Sequence, residues 1–341
     1  MSAGTDEAAT WADLQPIMQF SMSYAPSRCL TAATQLDVFS RMAEGHATAE
    51  AIARAAGVSP RGGRMLLDAL AAFGVIRKAD GRYRLTPAAE RFLVRGRPDY
   101  VGSMWEADGL WEAWGHLAEA VRTGRPRVAV EQKDKAEQFF PALVRSLHVM
   151  NRPIAERAAE VLLPGSAGRG SRIIDVACGS GVWGIALAEA DPQAKVTFQD
   201  FPGILAITRE YAARHGVTNR SEFAAGDLRA FDFGEGRFDL AILGNIVHSE
   251  GERSSRELLG RLRRGLRSGG RVAIIDMVPD EARTGPPFAL VFAVNMLVHT
   301  TEGDTFTLGE YTAWLKAAGF ATVETADIGS HSPMIIGRVD R

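Results

Sequence analysis

The sequence predicts an α/β protein: a Rossmann-like, seven-stranded sheet preceded by a mainly helical winged-helix domain. Three observations carry this reading. Short apolar runs alternate with helical patterns after about residue 170, a G-x-G-x-x-G spacing follows the first of those runs, and a two-helix unit with a hairpin lies upstream. A chain of 341 residues, 46% of them hydrophobic, has room for about two domains with their own cores. Its 39 Lys and Arg against 41 Asp and Glu leave a formal charge of −2, so no strongly basic field points to nucleic acid or an anionic membrane. Function must reside in a pocket. Cys29 and Cys178 are too few for a disulfide framework or a cysteine zinc site. No apolar run approaches the ~18 residues of a membrane span, and the opening residues lack a cationic, apolar signal. The expected location is the cytoplasm.

Taken in order, a helical stretch runs from Pro16 to about Met42, and a short helix follows Thr48 and stops at Gly57. Ser59 is an N-cap with Pro60 at the first helical position; the helix it opens carries a stripe of Met65, Leu66, Ala69, Leu70 and Phe73 and ends at Gly74. Strands at Val75–Lys78 and Arg82–Leu85 flank the hairpin turn Ala79-Asp80-Gly81. This is a winged helix-turn-helix by pattern. Residues from Pro98 to Pro164 read as helical again, with Trp105, Trp111, Trp114, Phe139, Phe140 and Met150 mostly core. The Gly- and Ser-rich run Pro164–Gly170 marks a change of composition. Strands are then expected at Arg172–Ala177, Ala194–Gln199, Ser221–Ala225, Leu240–Leu243, Arg271–Asp276, Thr322–Asp327 and Met334–Gly337, with helices from about Trp183, Pro202, Ser254 and Leu308. Such alternation implies a parallel sheet covered on both faces, with an antiparallel edge at the end. The expected division is 1–100, 101–164 as a helical connector contributing to the pocket, and 165–341.

The strongest local signal runs from Ile173 to Gly184, where Gly179, Gly181 and Gly184 fit G-x-G-x-x-G: glycines let the backbone approach a ligand and enter a helix with free amides. That spacing alone also suits a dinucleotide site or a purely structural turn. Asp175, at the strand end before the loop, suits an ammonium group better than a pyrophosphate. Asp200 closes the next strand about 20 residues on, where a carboxylate accepts from ribose hydroxyls. Asp227 and Leu228 end the third, suited to an adenine amino group and ring face. Each acidic residue alone is equally readable as a cap or turn residue. Their succession at strand ends is what points to a ligand, because open α/β sheets bind there.

The segments Asp175-Val-Ala-Cys-Gly-Ser-Gly181, Asp200-Phe201-Pro202, Gly226-Asp227-Leu228, Asn245-Ile246-Val247-His248 and the Leu266–Gly270 turn together resemble the class I S-adenosylmethionine-dependent methyltransferases. Within these, the chain resembles the O-methyltransferases of the caffeic-acid type and their bacterial relatives over nearly its whole length. The resemblance implies an N-terminal winged-helix domain for homodimerisation, S-adenosylmethionine as methyl donor, and a small-molecule acceptor. It implies that Gly179 and Gly181 approach the methionine portion, that Asp200, with Phe201 beside it, binds the ribose, and that Asp227 and Leu228 contact adenine. It departs from the family where Ser249 and Glu250, in place of an acidic and an aromatic residue, follow His248.

The winged helix also permits a transcription regulator: from Thr48 to Arg95 there are nine Lys or Arg against four Asp or Glu. Gly62 and Gly63, at the start of the would-be reading helix, argue against nucleic acid as a partner. For catalysis, methyl transfer is an in-line displacement that needs an aligned and deprotonated nucleophile. His248 matches the family's general base, with Asp276, Asp304 or Glu302 as the carboxylate that flanks it. His299, at the end of the helical run Phe288–Val298, resembles the second histidine of the iron- or zinc-dependent α-keto acid C-methyltransferases. On that resemblance His248 and His299 hold a metal ion, Fe or Zn, and the protein methylates the β carbon of a 2-oxo acid. Arg125 or Arg127 would then hold its carboxylate. The alternative is O-methylation of an aromatic hydroxyl with His248 as base. Trp105, Met150 and Phe292 are expected to wall the acceptor pocket.

Overall fold

The computed structural model describes residues 11–106, 109–129, 133–165 and 170–340. The chain divides into two compact units, Met1–Asp108 and Gly109–Arg341. Of the segment expected as a connector, residues 109–164 fall in the second.

In the first unit, α1 (Trp11–Ser21), α2 (Tyr24–Gln35) and α3 (Val38–Ala43) make up the helical stretch expected from Pro16 to about Met42, the last break falling at Asp37, whose φ of 54° is left-handed. Then come α4 (Ala49–Ala55), α5 (Pro60–Ala72), β1 (Ile76–Ala79), β2 (Arg82–Leu85), α6 (Pro87–Phe92) and α7 (Ser103–Glu106). Thr48, Ser59 and Thr86 each cap a helix by accepting a backbone N–H. The winged pattern is therefore present, but the expected apolar stripe of α5 was misphased. Gly63, Leu67 and Leu70 are its buried residues, whereas Met65 and Phe73 are exposed. Gly63 is small for packing reasons, since a Cβ there would lie 2.8 Å from that of Ala53 on α4. The basic side chains of this region are partly consumed locally: Asp68 holds Arg64, Lys78 and the Tyr83 hydroxyl, and its pKa falls to about 2, Lys78 being the largest cause.

The second unit opens with α8 (Gly109–Gly115), α9 (Leu117–Thr123) and the long α10 (Lys133–Leu162). Alternation follows: β3 (Arg172–Val176), α11 (Val182–Ala190), β4 (Lys195–Asp200), α12 (Pro202–Arg214), β5 (Ser221–Ala225), β6 (Phe238–Gly244), α13 (Val247–Gly265), β7 (Leu266–Ile275), α14 (Pro287–His299), α15 (Leu308–Ala317), β8 (Thr322–Ala326) and β9 (Met334–Arg338). Strands β3 to β9 form one seven-stranded sheet in the order β5-β4-β3-β6-β7-β9-β8; only the pairings of β9 are antiparallel. All seven strands lie within a few residues of expectation. The Leu266–Gly270 turn is instead an irregular lead-in to β7, where the register shifts between Phe238 and Leu240, and α13 begins at Val247 instead of Ser254.

Side-chain alternation builds a core on each face. Ile173, Leu240, Ile242, Ala273 and Ile275 join α10, α11 and α12 in one cluster; Ile174, Val176, Ala241, Leu243, Val272 and Ile274 join α13 and α15 in the other. Strand order reverses between β3 and β6, so the loops after these strands diverge and leave a crevice at their carboxyl ends. No helix among the described residues is long and apolar enough to cross a membrane.

Candidate active site

The glycine loop between β3 and α11 is held from below by two carboxylates. Gly179 and Gly181 adopt φ of 55° and 77°, which only glycine takes readily. Gly184 lies where a Cβ would come within 2.5 Å of Phe198 and 3.0 Å of the Asp175 carboxylate. Asp175 is fully buried, and its Oδ2 accepts the Gly184 N–H at 2.8 Å. Its Oδ1 is buried with no partner among the described residues, and burial, with the nearby Asp200, pushes the carboxyl well above the usual range. A buried acceptor without a donor is costly. An ammonium group arriving at the loop would satisfy it, which is the fit expected for the amino acid end of the methyl donor.

Asp200 ends β4 with both oxygens engaged by backbone: Gly179 N–H donates to Oδ2 at 2.8 Å and Phe201 N–H to Oδ1 at 2.7 Å. Burial nevertheless raises its pKa to about 6. Asp227, after β5, is exposed and accepts Arg229 N–H at 2.9 Å, while Leu228 beside it is buried. Gln199 was not singled out in the sequence. Its Oε1 accepts Ala177 N–H at 3.2 Å and its Nε2 donates to Gly226 O at 2.7 Å, so it joins the loops after β3 and β5. Ala177 and Asn245, at the ends of β3 and β6, are non-glycine residues with positive φ, so backbone strain sits on both sides of the crevice.

His248 follows β6 in the first turn of α13 and is buried. Its Nδ1 faces Asp276 Oδ1 at 2.6 Å, and its backbone N–H donates to Oδ2 of the same carboxylate at 3.0 Å. A carboxylate only accepts, so Nδ1 carries a proton, and in the neutral ring Nε2 is the nitrogen with the lone pair. Asp276, at the end of β7, also accepts the buried Tyr311 hydroxyl at 3.2 Å and Met277 N–H at 2.8 Å. Asp304 does not reach the imidazole: its Oδ1 accepts from Thr305 N–H at 2.7 Å, and its backbone N–H donates to His248 O at 2.9 Å. Glu302 is exposed. Of the three candidate carboxylates, only Asp276 is in place to fix the tautomer.

Phe292, on α14, meets the His248 ring edge-on at 4.9 Å between centroids. One turn further along α14, Trp114 Nε1 donates to Asn295 Oδ1 at 3.1 Å. His299 is buried with Nδ1 at 2.9 Å from Asn295 O, and burial lowers its pKa. The metal expected at His248 and His299 finds no support in the donor set. Among the described residues no group of three or more His, Cys, Asp and Glu is arranged to hold an ion. Arg125 and Arg127 are exposed, Arg127 against His116. Met150 is half exposed on α10, and Trp105 lies on α7 in the first unit. Among the core aromatics expected upstream, Trp111 is 47% exposed and the Phe139 side chain falls outside the described residues.

Comparison with known proteins places the chain among relatives. Residues 114–321 match the O-methyltransferase domain and residues 18–95 the O-methyltransferase dimerisation domain. The chain is 34% identical over 314 residues to the 3-hydroxy-5-methyl-1-naphthoate 3-O-methyltransferase of Streptomyces sahachiroi, covering 89% of this chain and 88% of that one. It is 31% identical over 332 residues to the tetracenomycin polyketide synthesis 8-O-methyl transferase TcmO of Streptomyces glaucescens, covering 95% and 96%. A solved structure of PigF with SAH superposes with a TM-score of 0.83 at 25% identity, covering 95% of this chain and 98% of that one.

Proposed function

Because the chain belongs to the S-adenosylmethionine-dependent O-methyltransferases of the caffeic-acid type, with their N-terminal dimerisation domain, we propose that it methylates a hydroxyl of an aromatic natural product, with His248 as general base. The observation that carries this reading is the Asp276–His248 pair beside Phe292, on the same sheet edge as the glycine loop. When bound, the donor supplies a methyl group on a positively charged sulfur. The protein's own residues do the rest. Asp175 takes the ammonium, Gly179 and Gly181 admit the methionine portion, Asp200 with Phe201 holds the ribose, and Asp227 with Leu228 receives the adenine. Asp276 holds the imidazole with Nδ1–H toward itself, so Nε2 accepts the acceptor's hydroxyl proton as the oxygen attacks. Phe292 lies against the imidazole edge and offers an apolar wall to a flat ring. The two named relatives act on a naphthoate and in polyketide synthesis, which supports an aromatic acceptor.

The test is His248→Ala, assayed with labelled donor against a panel of naphthoic acids, polyketide phenols and 2-oxo acids. Turnover of a phenolic acceptor is expected to fall about 10²- to 10⁴-fold, with S-adenosylhomocysteine affinity retained. Unchanged turnover would reject the base. Methylation of a 2-oxo acid at carbon, abolished by a chelator, would restore the metal-assisted reading.

A further inference from the structure

The turn carrying His248 is cut off from the rest of α13. Gly251 interrupts the helix with φ 72° and ψ 169°, and a Cβ there would lie 2.7 Å from the Glu302 carbonyl oxygen. Residues 247–250 are therefore joined to the helix that follows through side chains, Ser254 Oγ to Glu250 and Ser255 Oγ to Val247 O at 3.5 Å, and depend on further tethers. Two run to the scaffold: the Asp276 carboxylate, and the Asp304 N–H on His248 O. A third runs to the cofactor side. Glu250, whose side chain is only 5% exposed, accepts from Arg229 Nε at 2.9 Å and Nη2 at 3.4 Å, and from Ser254 Oγ at 2.6 Å. Arg229 belongs to the turn that Asp227 caps, and Leu228 between them is anchored through its carbonyl to Arg261.

A buried carboxylate held by two guanidinium donors fixes geometry more firmly than a surface pair does. It also accounts for the departure from the family at 249 and 250: Ser249 turns back on Ile246 O at 2.8 Å, and the next position holds the acidic end of this pair. We infer that the Arg229–Glu250 pair is a positioning strut, through which the loop assigned to the adenine sets the turn that carries the base. Donor binding and base placement are thereby coupled. The inference rests on the reading of His248 as base and of Asp227 with Leu228 as the adenine site.

Arg229→Gln, Glu250→Gln and the double variant test it, with kcat, acceptor KM, S-adenosylhomocysteine affinity by calorimetry and thermal midpoint measured for each. Arg229 is half exposed, so its variant is expected to fold even if Glu250→Gln does not, with a lowered midpoint because the buried Glu250 carboxylate loses its cation. Each single change is expected to lower kcat about tenfold and weaken S-adenosylhomocysteine several-fold with acceptor KM held, and the double variant to be no worse than the poorer single one. Arg229→Gln within twofold of the parent in both kcat and affinity, or a double variant whose losses multiply, would overturn the strut. His248→Ala, measured alongside, reports on the base by itself: it lowers turnover without altering S-adenosylhomocysteine affinity, whereas the strut is read from both quantities in Arg229→Gln.

Discussion

Asp200 illustrates how much of the chemistry is decided at single residues. Two backbone N–H groups favour its charged form, yet burial wins and its pKa rises to about 6. The folded protein then holds the proton more tightly than the unfolded chain does. This group's contribution to stability is present at low pH and lost as pH rises through about 6. On the proposed assignment of Asp200 to the ribose, donor binding has the opposite sign, because the hydroxyls would need the charged acceptor. S-adenosylhomocysteine affinity, followed by calorimetry from pH 5 to 8, is expected to strengthen through about pH 6, and Asp200→Asn to bind weakly without that step. A flat profile in the parent would dismiss Asp200 as the ribose ligand. The positions of Asp175 and Asp200 near their strand ends were legible in the sequence because each lies at a fixed distance from the glycines. Gln199 and Tyr311 were not, since their partners, Ala177, Gly226 and Asp276, are brought to them only by the sheet and by the helix packed on it.

Elements were legible where periodicity and punctuation agree, and least so where one element is interrupted. The strands of the sheet are buried apolar runs with polar ends, and all seven were read. Helix α13 was read seven residues late because Gly251 separates its first turn, and with it His248, from the amphipathic remainder. Glycines within helices differ by what surrounds them. At Gly184 in α11 a Cβ would meet Phe198, Val196 and Asp175, so Gly184→Ala is expected to cost about 1–3 kcal/mol through overpacking. Gly260 in α13 has nothing within 4 Å of that position, and Gly260→Ala is expected to stabilise by about 0.5–1 kcal/mol. Denaturant melts of the two variants check both signs; similar shifts would mean the glycine loop tolerates more than its geometry suggests.

At the scale of the whole molecule, the near-neutral charge fits a small-molecule enzyme, and the N-terminal unit matches a dimerisation domain. Helix α1 displays Trp11, Ile17 and Phe20 at 86%, 63% and 81% exposure, far more apolar surface than a helix of its length would leave in water. Light scattering is expected to give twice the chain mass, and the triple change to Ser at these positions to shift it toward one chain. A parent that elutes as a monomer would reassign that surface. The α5 stripe shows why sequence alone misjudged this unit: several apolar residues can be drawn into a helical stripe, and only the packing of α4 against Gly63 decides which of them face inward.

Strand β9 has an implication for the order of assembly. It is the last strand in the sequence yet lies inside the sheet, between β7 and β8. During synthesis, β3 to β7 can associate as they emerge, but the β7 edge stays bare, with its backbone groups open to other chains, until residues 334–338 arrive. β8 emerges earlier and has no partner of its own until then. A chain cut short before residue 334 would therefore leave the flank of β7 bare and β8 without its neighbour, a ragged edge on which another chain can pair.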